Sequence, residues 1–240
     1  MNQYAIPQPD FRKDPTVTGS HEEYWVVYPK SQWNNQWNYS SKDLEKQILD
    51  AVQKIRRIGV RYNMPPRLIH YTQLLIWRFY AKEQIDTHPL GIYILQAFEC
   101  AARFVECEIH NYIQSIQADP DFPKSSSLST NTPELLLHFQ FVTSLEYTVR
   151  IHHPSEYIPM YLKPQQYGLD PDIVNLAEKI VSDSFLTPCC LVHRPAAIAE
   201  GAVIMAATIL DRQNSICVRS AKALSFISDM KFYYDHSQKL

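Results

Sequence analysis

A shift of 106 residues superposes one part of this chain on a later part. Pro65 falls on Pro171 and Pro89 falls on Pro195, so proline stands at the start of two successive segments in both copies. Core-type positions coincide as well, the pairs being Leu68 with Val174, Tyr71 with Ala177, Leu74 with Ile180, Leu75 with Val181, Phe79 with Phe185, Ile92 with Ile198 and Ala101 with Ala207. Chance could match two or three positions, but the matched prolines make it a poor explanation. The repeat predicts two helical bundles of one plan.

Apolar side chains recur at every third or fourth position along most of the chain, a period that predicts helices. The first helix is expected to open at Ser40, with Asp43 three residues later in a box-like cap. Its apolar face comprises Leu44, Ile48, Ala51, Val52, Ile55, Ile58 and Tyr62. Four more helices are expected from residue 65, after residue 89, over roughly 108–118 and over roughly 133–150. Strand-like alternation is nearly absent, so the predicted fold class is all-α.

The composition argues against several classes of function. Among 240 residues, 23 Lys and Arg stand against 25 Asp and Glu, and the net charge of −2 argues against a large footprint for nucleic acid. The five glycines lie too far apart for a phosphate-cradling loop, so a Walker loop and a dinucleotide fingerprint are excluded. We therefore expect no cofactor and no direct contact with nucleic acid.

The cysteines and the apolar runs indicate a compartment. Five cysteines, an odd number without a CxxC pair, suggest neither a disulfide framework nor a zinc finger: Cys100, Cys107, Cys189, Cys190 and Cys217. The longest strongly apolar uncharged run, 201–210, is too short to span a bilayer, and residues 1–20 lack the apolar stretch of a signal peptide. These features predict an intracellular protein without a membrane partner.

Residues 1–38 differ in composition from the rest of the chain. They are rich in Pro, Asn, Gln and aromatic residues and show no sustained period. We interpret them as an arm that docks through Trp25, Trp33 and Trp37, since tryptophan is costly to leave in water. Covering the core is the favoured role for these side chains, and binding a partner is the alternative.

Five short stretches resemble one known family. They are WNYSSKDL at 37–44, RFY at 78–80, AARFVE at 101–106, HHP at 152–154 and IVSDSFLT at 180–187. Together they resemble the cyclins of the transcriptional type, among which cyclins C and H are the most similar. The resemblance covers about 40–230 and implies two tandem five-helix cyclin boxes, at 39–152 and 153–240, after an arm at 1–38.

The resemblance implies a binding function. Cyclins bind a cyclin-dependent kinase through helices three and five of the first box and press on the kinase's C-helix, which aligns its Lys–Glu pair for phosphoryl transfer. The family uses a Lys in helix three and a Glu in helix five. Arg103 occupies the Lys position and keeps the charge, although its planar fork is not interchangeable with an ammonium.

The position of the family's Glu has two solutions in this sequence. Counting back from the HHP stretch places it at His138, whereas the local ELLL pattern places it at Glu134. Residues four apart share one face of a helix, so either side chain could point at the kinase. The expected kinase-binding residues are Arg103, Glu106, Glu134 and His138, with Arg103 and Glu106 on helix three.

Each candidate also has a structural interpretation. Arg103 could form an internal salt bridge with Glu99 or Glu106, because a charge in an apolar helix needs a partner. His138 could be an ordinary hydrogen-bonded histidine. His152 and His153 could suggest a metal, but adjacent side chains diverge and no third ligand is present in the pattern, so no metal site is predicted.

Two further pairs receive structural interpretations. Cys189 and Cys190 are predicted to be small buried apolar side chains rather than redox partners. Asp119 and Asp121 lie in a proline-flanked segment, where they predict turn chemistry.

The function predicted from the sequence is regulatory, since no GxSxG, HExxH or activated cysteine is present and no catalytic residue is expected. The chain is expected to activate a cyclin-dependent kinase in RNA polymerase II transcription, within a Mediator-type or kinase-activating complex that supplies further subunits. One alternative is a cyclin-fold scaffold without kinase activation. Another is a transcription factor IIB-like core, against which the charge and the missing zinc ribbon count. The resemblance alone implies nuclear localisation.

Overall fold

A computed structural model describes residues 42–83, 88, 90–123, 134–145, 147, 152–162, 169–216 and 220–237. Its α-helices, in chain order, are α1 (Lys42–Arg61), α2 (Pro66–Tyr80), α3 (Leu90–Phe104), α4 (His110–Ala118), α5 (Glu134–Ser144), α6 (Pro171–Ser184), α7 (Cys189–Val192), α8 (Pro195–Ile209) and α9 (Ala221–Ser237). Two 3-10 helices cover Pro154–Tyr161 and Gln213–Ser215. Within these ranges, extended backbone pairs in one isolated bridge, between Leu162 and Ile216. The predicted all-α class is confirmed.

Several predicted features lie outside the described residues. These are the arm with its three tryptophans, the helix start at Ser40, and Pro89. The domain boundaries after residues 38 and 152 stay predictions.

Proline marks the starts of the repeated helices, as the sequence predicts. Pro66, Pro171 and Pro195 each lie in the first turn of a helix, where the missing N–H has no intrahelical acceptor to lose. At α6, Asp170 adds a side-chain cap, because its Oδ1 accepts a hydrogen bond from the Asp172 N–H at 3.1 Å.

The residues that the repeat pairs are buried in both halves. Of the seven pairs, only one includes a residue that is half-buried rather than buried, namely Val174. Helix α3 packs against α2 and α5, and α8 packs against α6, α9 and the first 3-10 helix. Ala101 and Ala207 are fully buried in α3 and α8, so small side chains allow neighbouring helices close approach at equivalent places.

The same backbone device ends α3 and α8. Glu106 has φ 52° and the next N–H, of Cys107, donates to the Ala102 carbonyl at 2.9 Å. Asp211 has φ 54° and the Arg212 N–H donates to the Ala207 carbonyl at 2.7 Å. A left-handed residue followed by this backward hydrogen bond satisfies the last carbonyls and stops a helix.

The second half differs from the predicted plan. Its described residues form α6, α8 and α9, the four-residue α7 and two short 3-10 helices, so five helices in the second box stay a prediction.

Helix α5 also ends earlier than predicted, at Ser144 rather than near residue 150. Beyond that end, Tyr147 has φ 59°, a left-handed conformation that cannot continue a right-handed helix.

Enlarging the central alanines is expected to destabilise the fold. Ala101→Leu and Ala207→Leu each force extra carbons into a filled site, and each should lower the free energy of unfolding by about 1–3 kcal/mol. Urea denaturation followed by circular dichroism measures the change. Ala118→Leu, at an exposed position on α4, is the matched control. Buried variants as stable as this control would contradict the packing described above.

The two halves meet through buried polar contacts. The Trp77 indole of α2 donates to the Phe185 carbonyl just after α6 at 3.0 Å. Towards the surface, Arg56 of α1 pairs with Asp183 of α6 at 2.8 Å, and the Tyr234 hydroxyl of α9 donates to the same carboxylate at 3.1 Å. These contacts fix the second half against α1 and α2.

Candidate protein-interaction surface

Helix α5 is apolar on two sides, and only one of them is covered. Phe141 and, just after the helix, Leu145 are buried, and the Phe141 ring lies 5.0 Å from the Phe79 ring, centroid to centroid. On the other side Leu135, Leu136 and Phe139 are 78%, 55% and 57% exposed. A helix with apolar side chains all round is normally buried, and a cluster of exposed large apolar side chains marks an interaction site.

Arg103 and His138 meet where α3 and α5 contact each other. Arg103 Nη1 lies 3.3 Å from His138 Nε2, and His138 Nδ1 lies 3.0 Å from Gln96 Oε1. Gln96 lies on α3 and is buried. The amide oxygen of Gln96 can only accept, so His138 donates its Nδ1–H to Gln96 and accepts from the guanidinium through its Nε2 lone pair. His138 is therefore the neutral tautomer in this arrangement.

We define the α3–α5 surface as Arg103, Leu135, Leu136, His138 and Phe139. Residues three and four apart share a helix face, so His138 borders Leu135 at the edge of the exposed side. The surface joins an apolar area to one exposed cation.

The structure brings together two of the four predicted binding residues. Arg103 and His138 are in contact, whereas the expectation that Glu106 lies on helix three is wrong, because the left-handed turn ends α3 at Phe104. Glu134 is the first residue of α5, and its side chain lies outside the described residues. Among the described side chains no carboxylate reaches ion-pair distance of Arg103, so the alternative of a salt bridge to Glu99 or Glu106 is not realised.

Sequence reasoning missed two features of this site, the role of Gln96 beneath the surface and the exposed apolar side of α5. In the sequence, Gln96 is an ordinary polar residue in an apolar helix. No sequence pattern indicates that it orients His138. The ELLL stretch carries a usable signal, because its apolar residues continue round the helix and leave too few polar positions for a solvent face.

The adjacent histidines of the HHP stretch have separate partners. His152 Nδ1 lies 3.4 Å from Glu156 Oε2, while His153 is buried and its Nε2 lies 2.9 Å from His70 Nδ1. His70 Nε2 in turn lies 2.9 Å from Ser182 Oγ, which links α2 to α6. No group of three potential metal ligands occurs within the part of the chain that the structure describes.

Burial sets the protonation of this histidine pair. The Ser155 N–H donates to His153 Nδ1 at 3.2 Å, so His153 donates its other N–H to His70, and His70 donates to Ser182. Burial and the charge of Arg56 lower the pKa of His70 to about 4. Burial, with His70 and Arg67 nearby, lowers the pKa of His153 to about 3.

Stability is expected to fall in mild acid. The unfolded histidines titrate near pH 6.5, whereas the folded pair stays neutral, so the unfolded state binds more protons between pH 6.5 and about 4. The stabilisation is complete above pH 6.5 and is lost as the pH falls, by up to about 1.4 kcal/mol per pH unit for each histidine. Urea denaturation at pH 7 and pH 5 measures this loss.

A matched pair of variants assigns that loss to the buried histidines. His70→Gln should shrink the difference between pH 7 and pH 5, whereas His110→Gln, at an exposed position on α4, should leave it unchanged. An undiminished loss in the His70 variant would contradict this assignment.

The other predicted pairs behave as structural elements. The Asp121 N–H donates to Asp119 Oδ1 at 2.8 Å in a turn, and both carboxylates pair with Arg61 of α1. Cys189 and Cys190 are buried, as predicted. In the described ranges no helix is long and apolar enough to cross a bilayer.

Comparison with known proteins adds relatives in sequence. No protein-family profile matches the chain. An RNA polymerase II holoenzyme cyclin-like subunit of Neurospora crassa is 26% identical over 156 residues, covering 64% of this chain and 44% of that protein. The subunit of the same name from Aspergillus oryzae is 28% identical and covers 68% of this chain and 53% of that protein. The chain thus spans about half the length of the curated relatives it matches.

Solved structures show the same fold. A chain of the yeast TFIIK complex (Kin28/Ccl1/Tfb3) matches with a TM-score of 0.60 and 17% identity, covering 90% of this chain and 98% of that one. A chain of the yeast RNA polymerase II CTD kinase CTDK-1 complex matches with a TM-score of 0.66 and 14% identity, covering 89% and 74%. The chain has a cyclin fold. Its homology to the cyclin-like subunits confirms the predicted resemblance to transcriptional cyclins.

Proposed function

We propose that this chain is the regulatory subunit of a cyclin-dependent kinase that acts in RNA polymerase II transcription. The observation that carries the proposal is the α3–α5 surface, where an uncovered apolar helix face adjoins the contact between Arg103 and His138. The names of the sequence relatives support the setting in transcription. Nuclear localisation and further subunits of a transcription complex belong to the same proposal.

The action proposed for the surface is mechanical rather than chemical. Leu135, Leu136 and Phe139 supply apolar area for the kinase to cover, and such burial contributes about 25 cal/mol per Å² of surface removed from water. The bound chain would hold the kinase's C-helix inward, so that the kinase's own Lys–Glu pair is aligned with ATP. The kinase would supply all catalytic residues.

The proposed contact residues lie at different places around this surface. They are Arg103, Glu106, Glu134 and His138. Arg103 and His138 lie at the edge of the apolar side of α5, while Glu106 is exposed in the turn after α3. Glu134 lies one helical turn before His138, on the same face of α5.

Affinity purification of the chain from its own cells, followed by mass spectrometry, tests the proposal. Recovery of a cyclin-dependent kinase is the expected result. Recovery of promoter-bound factors without a kinase would favour the factor IIB-like alternative, and recovery of other proteins alone would favour a scaffold. A variant in which Leu135 and Phe139 are both replaced by Ser is the specificity control and should lose the kinase.

A further inference from the structure

The charge on the α3–α5 surface is unbalanced. Residues 135–144 of α5 contain no Asp, Glu, Lys or Arg, and among the side chains that the structure describes Arg103 contacts the His138 imidazole. Because the Gln96 amide oxygen accepts the His138 Nδ1–H, the imidazole meets Arg103 through the lone pair of its Nε2 atom. His138 thus orients the guanidinium without cancelling its positive charge.

A partner that covers this surface must deal with that charge. Docking against Leu135 and Phe139 removes water from the neighbouring guanidinium, and a desolvated cation without an anion is strongly unfavourable. The guanidinium has five N–H donors in a fixed fork, and its contact with His138 uses one nitrogen. The remaining donors match a carboxylate, which accepts two parallel hydrogen bonds from such a fork.

We infer that the kinase partner presents an Asp or Glu side chain to Arg103, so that an ion pair forms across the interface. The inference rests on the proposed function and specifies its partner. A kinase with a neutral or basic residue at that point would be rejected. The desolvated Arg103 guanidinium would then face either no charge or a charge of its own sign, and both are costly.

Binding of the co-purifying kinase to the purified chain, measured at several salt concentrations, tests this inference. Arg103→Gln is expected to weaken binding by about 30-fold or more and to reduce its dependence on salt, because the variant removes an intermolecular ion pair. Unchanged salt dependence in this variant would overturn the inference, since it would mean that Arg103 contacts only neutral groups.

A second variant distinguishes an ion pair between Arg103 and the partner from an ion pair within this chain. His138→Glu places a carboxylate beside Arg103, where it competes with the partner's carboxylate, so about tenfold weaker binding is expected. His110→Glu, which makes the same substitution at an exposed position of α4, is the matched control and should bind nearly as the parent chain does. Binding of His138→Glu equal to or tighter than that of the parent chain would overturn the inference.

The parent chain tests the underlying function in the same experiment. If it binds no cyclin-dependent kinase, the proposed function fails and the inference fails with it. If it binds a kinase but the two variants behave contrary to expectation, only the acidic partner is refuted. Arg103 and His138 are not part of the buried core, and circular dichroism of each variant confirms that the fold is retained.

Discussion

Reversing the charge of Arg103 to glutamate is expected to weaken kinase binding by about 2–5 kcal/mol. The variant would lose the contact between the Arg103 guanidinium and His138. Its new carboxylate would be a repelled charge at a desolvated interface. Isothermal titration calorimetry with the purified kinase measures the change. Arg103 is exposed, so the free energy of unfolding of the variant should stay close to that of the parent chain.

Lys179→Glu is the matched control for this reversal, because it makes the same charge change at an exposed position of α6. It should bind the kinase with nearly unchanged affinity. If Arg103→Glu folds normally and also binds unchanged, the interface lies elsewhere, and the aromatic arm at 1–38 becomes the next candidate.

Replacing Trp77 by alanine is expected to cost about 3–5 kcal/mol of stability, the usual range for deleting a buried aromatic side chain. Trp77 is fully buried in α2 and its indole donates to the Phe185 carbonyl of the second half. The variant therefore opens a cavity and leaves a buried carbonyl without its donor. Urea denaturation of the full chain measures the loss.

Two controls separate the packing from the hydrogen bond. Trp77→Phe keeps most of the volume and should lose less than Trp77→Ala, with about 1–3 kcal/mol attributable to the unsatisfied carbonyl. Val60→Ala removes an apolar side chain that is 65% exposed and should be nearly neutral. A Trp77→Ala variant as stable as Val60→Ala would contradict the described contact between the halves.

The repeated core was predictable because the buried positions of a helix recur at regular intervals along the sequence. Ala101 and Ala207 could be identified from spacing alone, since a helix that packs on several neighbours selects small side chains at fixed intervals. The prolines gave the starts of α2, α6 and α8 for an equally local reason, the missing N–H.

Contacts between distant residues were not predictable. His70 and His153 are 83 positions apart, and neither their spacing nor their neighbours indicate that they share a buried hydrogen bond. Gln96 orients His138 across two helices for the same reason. Periodicity also cannot tell which of two apolar sides a helix covers, so the exposure of Leu135 and Phe139 emerged only from the packing of α3 and α5.

The resemblance supplied what neither period nor composition could. It singled out Arg103 and His138, which the structure brings to 3.3 Å of each other. Its assignment of Glu106 to helix three failed because a left-handed residue ends α3, and helix ends depend on single backbone conformations that sequence patterns locate poorly.

The most direct test of kinase activation is the activity of the co-purifying kinase, assayed with and without the purified chain. Activation predicts that phosphoryl transfer rises when the parent chain is added and rises much less with Arg103→Glu at the same concentration. If the parent chain binds the kinase yet leaves its rate unchanged, or stimulates no cyclin-dependent kinase of its host, the activating role is contradicted and a scaffold takes its place.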